Sequence, residues 1–198
     1  LNLALFLESL ENLSAAEFGH FAAEATSAAR SSARSACLAL CAIGTGDGEA
    51  AARWIEDAIH IDRPSDFVSF ASALVSMQTG NIASAIEPLR KIDERFVKYR
   101  DARVLLATAY LYSGDVAEAE NVALGIDDQD DEMRASLLGL RARCAQARTD
   151  ESSARSLYRQ ALTYAPQLEW VRQELKSQTD LQSDTINSPD SALNVVVI

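Results

Sequence analysis

The sequence predicts an all-α protein assembled from repeated antiparallel helix pairs, and three observations predict it. Nearly half of the 198 residues are hydrophobic, yet only 8 are Gly and 4 are Pro, and alanine recurs throughout. Ala costs least in a helix and Gly and Pro most, so this is the composition of closely packed helices. The dipeptides Gly46-Asp47, Gly80-Asn81 and Gly114-Asp115 stand 34 residues apart, a span that suits one helix, a tight turn and a second helix. Alanines keep the same phase, at Ala39, Ala73 and Ala107 before the glycines and at Ala51, Ala85 and Ala119 after them. Small residues at two facing positions let helix backbones approach closely.

The elements follow in chain order. A short helix is expected near 2–11, then one from Ser14, where Ser14-x-x-Glu17 has the form of a capping box, to about Arg30. Residues 1–31 are therefore expected to pack helices on the array. Helix pairs are predicted at about 32–44 with 48–61, 65–79 with 81–93, 98–113 with 115–125, and 131–147 with 150–164. Within each pair, Gly supplies the positive φ that ends the first helix, and Asp or Asn can cap the second. Pro88 should shorten or kink its helix, having no N–H to donate. The fourth copy slips by about one residue and its turn, Thr149-Asp150, has lost its glycine. After Pro166 a last helix at 167–177 carries Leu168, Trp170, Val171 and Leu175, suited to covering the open end of a repeat stack. Residues 178–198 read as a flexible tail with an apolar end at Val195-Val196-Val197-Ile198, either docked or exposed.

At these positions the chain resembles the tetratricopeptide repeat family. Its 34-residue unit places Trp, Leu, Gly and Tyr in the first helix and A-x3-F, then Pro, in and after the second. The third copy carries Leu106-Ala107, Tyr110, Gly114-Asp115 and Ala119, and the fourth carries Ala154, Tyr158, Ala161 and Pro166. The Trp slots instead hold Ser35, Ser69, Arg103 and Leu138, and the first two Tyr slots hold Ala42 and Ser76. The resemblance spans about 32–166 and implies some four repeats in a right-handed α-solenoid.

It also implies a concave groove lined by the first helix of each repeat. The corresponding residues are Phe67, Phe70, Leu74, Met77 and Gln78 in the second copy and Asp101, Val104, Thr108, Leu111 and Tyr112 in the third. The first copy contributes Ala33, Ala36, Leu40 and Ile43, the fourth Ser136, Gly139, Arg143 and Gln146. The competing reading is that Phe67 and Phe70 are core residues of an irregular repeat. Relatives that grip a C-terminal carboxylate resemble one another in using Lys, Arg and Asn on this surface. Here Arg143 is the one basic candidate, so the groove suits an apolar peptide or helix better.

Charge and chemistry narrow the function classes. A net charge of −11 with no Lys/Arg cluster argues against nucleic acid and anionic membranes. No stretch reaches the ~18 apolar residues of a membrane span, and the opening segment has no basic region of a signal peptide. Cys37, Cys41 and Cys144 form an odd set without framework spacing, which favours a reducing compartment and a cytoplasmic location. Cys37 and Cys41 lie one turn apart, but a metal site needs further ligands, so buried thiols are the simpler reading. His20 and His60 belong to no catalytic or metal motif. The acidic run Asp127-Asp128-Gln129-Asp130-Asp131-Glu132 lacks the spacing of a calcium loop, and is expected to place carboxylates at a helix N-terminus. No cofactor, metal or enzymatic activity is expected. The resemblance implies a protein-interaction module, an adaptor or scaffold. The alternatives are a cytosolic chaperone for a secretion-system client and self-association through residues 190–198.

Overall fold

A computed structural model describes residues 31–61, 64–127 and 130–186. The helices expected before residue 31 and the apolar end at 195–198 lie outside the described residues. Among those described there are nine helices and no strand. They are α1 (Ser32–Gly44), α2 (Gly48–Ile61), α3 (Asp66–Gln78), α4 (Ala83–Arg90), α5 (Tyr99–Tyr112), α6 (Val116–Leu124), α7 (Asp131–Ala147), α8 (Glu151–Tyr164) and α9 (Glu169–Ile186). The chain divides into two compact units, one ending at Ile126 and the other starting at Asp127. The first contains the pairs α1–α2, α3–α4 and α5–α6. The second contains the pair α7–α8 and the single helix α9.

The 34-residue phase is built into the turns. Gly46, Gly80 and Gly114 have φ of 79°, 82° and 87°. A Cβ at any of them would meet no atom within 4 Å, so glycine is favoured there by backbone conformation rather than by crowding. In the first, third and fourth turns the next residue closes the helix by donating its N–H five residues back: Asp47 to Ala42 (2.8 Å), Asp115 to Tyr110 (2.9 Å) and Asp150 to Ala145 (3.0 Å). The same aspartates then cap the second helix, accepting from the N–H of Ala50 (2.9 Å), Glu118 (3.3 Å) and Ser153 (3.1 Å). Each therefore satisfies groups at two helix ends. Asn81 does not share this role. The α4 N-cap is Ile82, without a side-chain hydrogen bond, and Ser84 donates instead to the Asn81 carbonyl in a tighter turn (3.1 Å).

The facing alanines are fully buried in every copy. Ala39, Ala73, Ala107 and Ala142 in the first helices, and Ala51, Ala85, Ala119 and Ala154 in the second, are all 0% exposed. Larger side chains at these positions would force the helices apart. Around them Leu38, Leu74, Leu89, Leu106 and Tyr158 fill the layers of the core. Tyr158 is buried with its hydroxyl 3.2 Å from Gln146 Oε1, which satisfies the one polar atom that its burial brings inside. At the first Trp slot Ser35 is buried and donates to Asp57 Oδ2 of α2 at 2.5 Å. A polar tie thus stands where the family places an indole.

Two elements differ from the sequence expectation. Pro88 lies in the last turn of α4, which ends at Arg90 rather than near 93. The released residues form a turn in which Asp93 Oδ1 accepts from the Arg95 N–H (2.9 Å), and the Phe96 ring is laid against Phe70. At the other end, α9 does not stop near 177 but runs to Ile186, so 178–186 is helix and not tail. Its polar sequence has no Gly or Pro between 169 and 186 to end it.

Candidate functional site

The groove positions inferred from the sequence fall into three groups. In the second copy, Phe70, Leu74 and Met77 are each 3% exposed. They are core in this structure, so their apolar surface is spent inside the first unit and is not displayed. Phe96, in the loop between α4 and α5, lies with its ring centroid 5.6 Å from that of Phe70 at a tilt of 58°, a favourable tilted approach. Phe67, one turn earlier, remains half-buried, and Gln78 is exposed. In the first copy Ala36 and Ile43 are buried, Leu40 is half-buried and Ala33 exposed.

The third copy keeps its face accessible. Val104, Thr108 and Leu111 are half-buried along α5, and Tyr112 is 45% exposed. Their spacing of four, three and one residues places them on one side of the helix. This side is chemically quiet. The Thr108 hydroxyl donates back to the Val104 carbonyl (2.8 Å), so its one proton is committed to its own helix. Asp101, the acidic group of the set, is paired with Lys98 Nζ at 3.2 Å. The larger part of what a ligand would meet is aliphatic and aromatic surface, with the Tyr112 phenol at its end.

The fourth copy is already engaged. The Arg143 guanidinium lies 4.6 Å from the Trp170 ring centroid and donates to Glu174 Oε1 at 2.8 Å. Both partners come from α9. A Cβ on Gly139 would stand 2.3 Å from Trp170 Cη2 and 3.1 Å from Val171 Cγ2, so the absence of a side chain there is what lets the indole lie down on α7. Gln146 accepts from Tyr158. The basic group expected to meet a partner is thus held by α9 of the same chain. Tracking which helix follows the fourth pair, rather than the repeat register alone, would have pointed to this: Trp170 and Glu174 lie four apart on α9, facing one residue of α7.

Cys37 is exposed and Cys41 half-buried, against the expectation of buried thiols, while Cys144 is buried, and none of the three is in a disulfide. Partial burial pushes the first two thiols up, and their mutual repulsion raises Cys41 further, which disfavours the nucleophilic thiolate. Among the described residues no three His, Cys, Asp or Glu side chains gather closely enough to hold a metal, and no helix is long and apolar enough to cross a membrane. His60 lies in the last turn of α2, whereas His20 is outside the described residues. From the acidic run, Asp130 caps α7 by accepting from the Met133 N–H (2.7 Å), and Asp131 and Glu132 occupy its first turn, where the helix dipole favours negative charge.

The paired helices of the described residues have a tetratricopeptide-like helical-repeat fold. The fold is similar to that of the solved structure of YrrB, described as a TPR protein with an unusual peptide-binding site, with a TM-score of 0.64 over 88% of this chain and 89% of that one at 15% identity. No protein-family model and no curated protein sequence matches the chain.

Proposed function

We propose that the protein is a non-enzymatic interaction module whose α5 face receives an amphipathic helix of a partner protein. The observation that carries this reading is accessible apolar surface at Val104, Leu111 and Tyr112, beside a Thr108 hydroxyl that already donates to its own helix and an Asp101 carboxylate already paired with Lys98. An extended peptide lying there would leave its backbone N–H and C=O groups to water or unpaired, whereas a helix satisfies them internally and contributes only its apolar stripe. Burial at ~25 cal/mol per Å2 then supplies the affinity. Engagement of Arg143 by Glu174 and Trp170 further disfavours recognition of a C-terminal carboxylate. The peptide-binding site described for YrrB supports a polypeptide partner in general terms. An adaptor in a reducing, cytoplasmic setting fits three cysteines without a disulfide among them.

The test is selection of a displayed library of helical peptides against the wild-type chain, followed by titration of the best binder against variants. Leu111→Glu should weaken binding at least about tenfold, equivalent to ~1.4 kcal/mol. Leu124→Glu, at a position on α6 that is 60% exposed, should leave it unchanged. Binders that tolerate Leu111→Glu, or that are disordered when bound, would remove the basis for this reading.

A further inference from the structure

We propose a second docking surface, on the outer face of α8, that takes an acidic helical segment of a partner protein through Arg155 and Arg159. A shallow cleft of about 430 Å3 is lined, among the described residues, by Ser152, Arg155, Ser156, Arg159, Gln160 and Thr163. These recur at intervals of three and four, so they form one stripe of a single helix.

Four arginines of the chain are matched to a carboxylate: Arg90 with Glu87, Arg134 with Asp131, Arg143 with Glu174 and Arg172 with Glu169. Neither Arg155 nor Arg159 has such a partner among the described residues, and Arg155 Nε is buried without any acceptor. The hydroxyls sort themselves likewise. Ser152 donates to Asp150 Oδ1 (3.1 Å) and Thr163 to the Gln160 carbonyl (2.7 Å). Ser156 accepts from Gln160 Nε2 (3.3 Å), which leaves its own proton to give. The stripe therefore presents two guanidiniums and a hydroxyl proton in search of acceptors.

A surface of unmatched donors selects an anion, and guanidinium geometry selects carboxylate or phosphate oxygens. Arg155 and Arg159 are one turn apart, ~6 Å along the axis, the same spacing as two glutamates at i and i+4 of a partner helix. Nucleic acid and anionic bilayers present extended negative fields, which a chain of net charge −11 repels at long range. A short acidic helix avoids most of that repulsion. With no large apolar side chain in the stripe, binding is electrostatic and falls steeply with salt.

The probe is a fluorescent helical peptide with glutamates at i, i+4 spacing, titrated into the full chain at low ionic strength beside its Gln-substituted counterpart. The Glu peptide should bind and the Gln peptide should not. Arg155→Glu combined with Arg159→Glu should weaken the Glu peptide at least about tenfold, as should ~0.5 M salt, while Arg53→Glu on α2 should have no effect. Leu111→Glu should also leave it intact, which separates this surface from the α5 face. Equal binding by the double variant overturns the proposal. So does displacement by millimolar inorganic phosphate as effective as by unlabelled peptide, which would mark a simple anion site. A dimer in sedimentation that the double variant converts to monomer overturns it as well, because the occupant would then be a second copy.

Discussion

The third and fourth helix pairs share a register but not a task. On α5 the repeat positions are Val104, Thr108 and Leu111, and they remain half-open. On α7 the matching positions are Gly139, Arg143 and Gln146, and all three are occupied: Gly139 lies under Trp170, Arg143 is clasped by Trp170 and Glu174, and Gln146 is bonded to Tyr158. The difference teaches that a groove position is a property of the register only where nothing later in the chain claims it. A terminal helix pair must be covered somewhere, and α9 does so with the residues that a ligand would otherwise meet.

The largest expected effect comes from breaking that cover. Gly139→Leu puts a side chain where even a Cβ would stand 2.3 Å from the Trp170 ring, and Leu cannot be accommodated without lifting α9. The overpacking should cost ~3 kcal/mol, the upper end for such insertions, against at most ~1 kcal/mol regained from helix propensity. In a Trp54→Phe background, Trp170 emission reports α9 docking directly, and urea unfolding gives the stability change. Adding Trp170→Ala should recover much of the cost, since the clash is then gone. If Gly139→Leu is tolerated with unchanged emission, the fourth pair is no more closed than the third.

A smaller effect separates the turns. The first three use glycine at φ of 79–87°, but the fourth uses Thr149 at φ 63°, and a β-branched residue there is strained. Thr149→Gly should stabilise the second unit by ~0.5–1 kcal/mol, the left-handed penalty of ~1–2 kcal/mol less the extra chain entropy that glycine loses on folding. Gly114→Ala should destabilise the third pair by ~1 kcal/mol although a methyl group would meet nothing within 4 Å. Calorimetry on both variants checks the signs. Shifts in the same direction would mean that the backbone conformation does not govern these turns.

Much of this architecture was legible in the residues. Period, turn chemistry and small facing positions are local or strictly repeating signals, and the four Ala pairs, the three capping aspartates and the early stop at Pro88 all follow from them. The candidate site was legible only in part, because exposure is set by nonlocal neighbours. Phe70, Leu74 and Met77 have the same hydrophobic character as Leu111 but are buried. Phe96 reaches Phe70 from the loop between α4 and α5, and a periodic pattern does not encode where a loop residue lands. The extension of α9 past residue 177 was missed for a different reason: its Gln, Asp and Ser content suits a tail as well as a solvated helix face.

The smallest expected effect concerns pH and the last of the capping aspartates. The Ser153 hydroxyl, its backbone N–H and the Ser152 hydroxyl, in that order, with a smaller contribution from Arg148, hold the Asp150 carboxyl below its ordinary value of 3.8. A carboxyl whose pKa is lower in the folded state binds protons more readily when unfolded. Its stabilising contribution is therefore present above about pH 4 and is lost as the pH falls through the lowered folded value. The site is fully solvent-exposed, so the contribution is screened and small. Asp150→Asn keeps a competent cap but removes the charge, and should flatten the acid limb of the helix signal followed by circular dichroism between pH 5 and about 2. In Thr149→Gly the slope should persist, since the turn is relaxed but the capping carboxylate remains. Superimposable acid curves for wild type and Asp150→Asn would show that the fourth turn is held by its backbone alone.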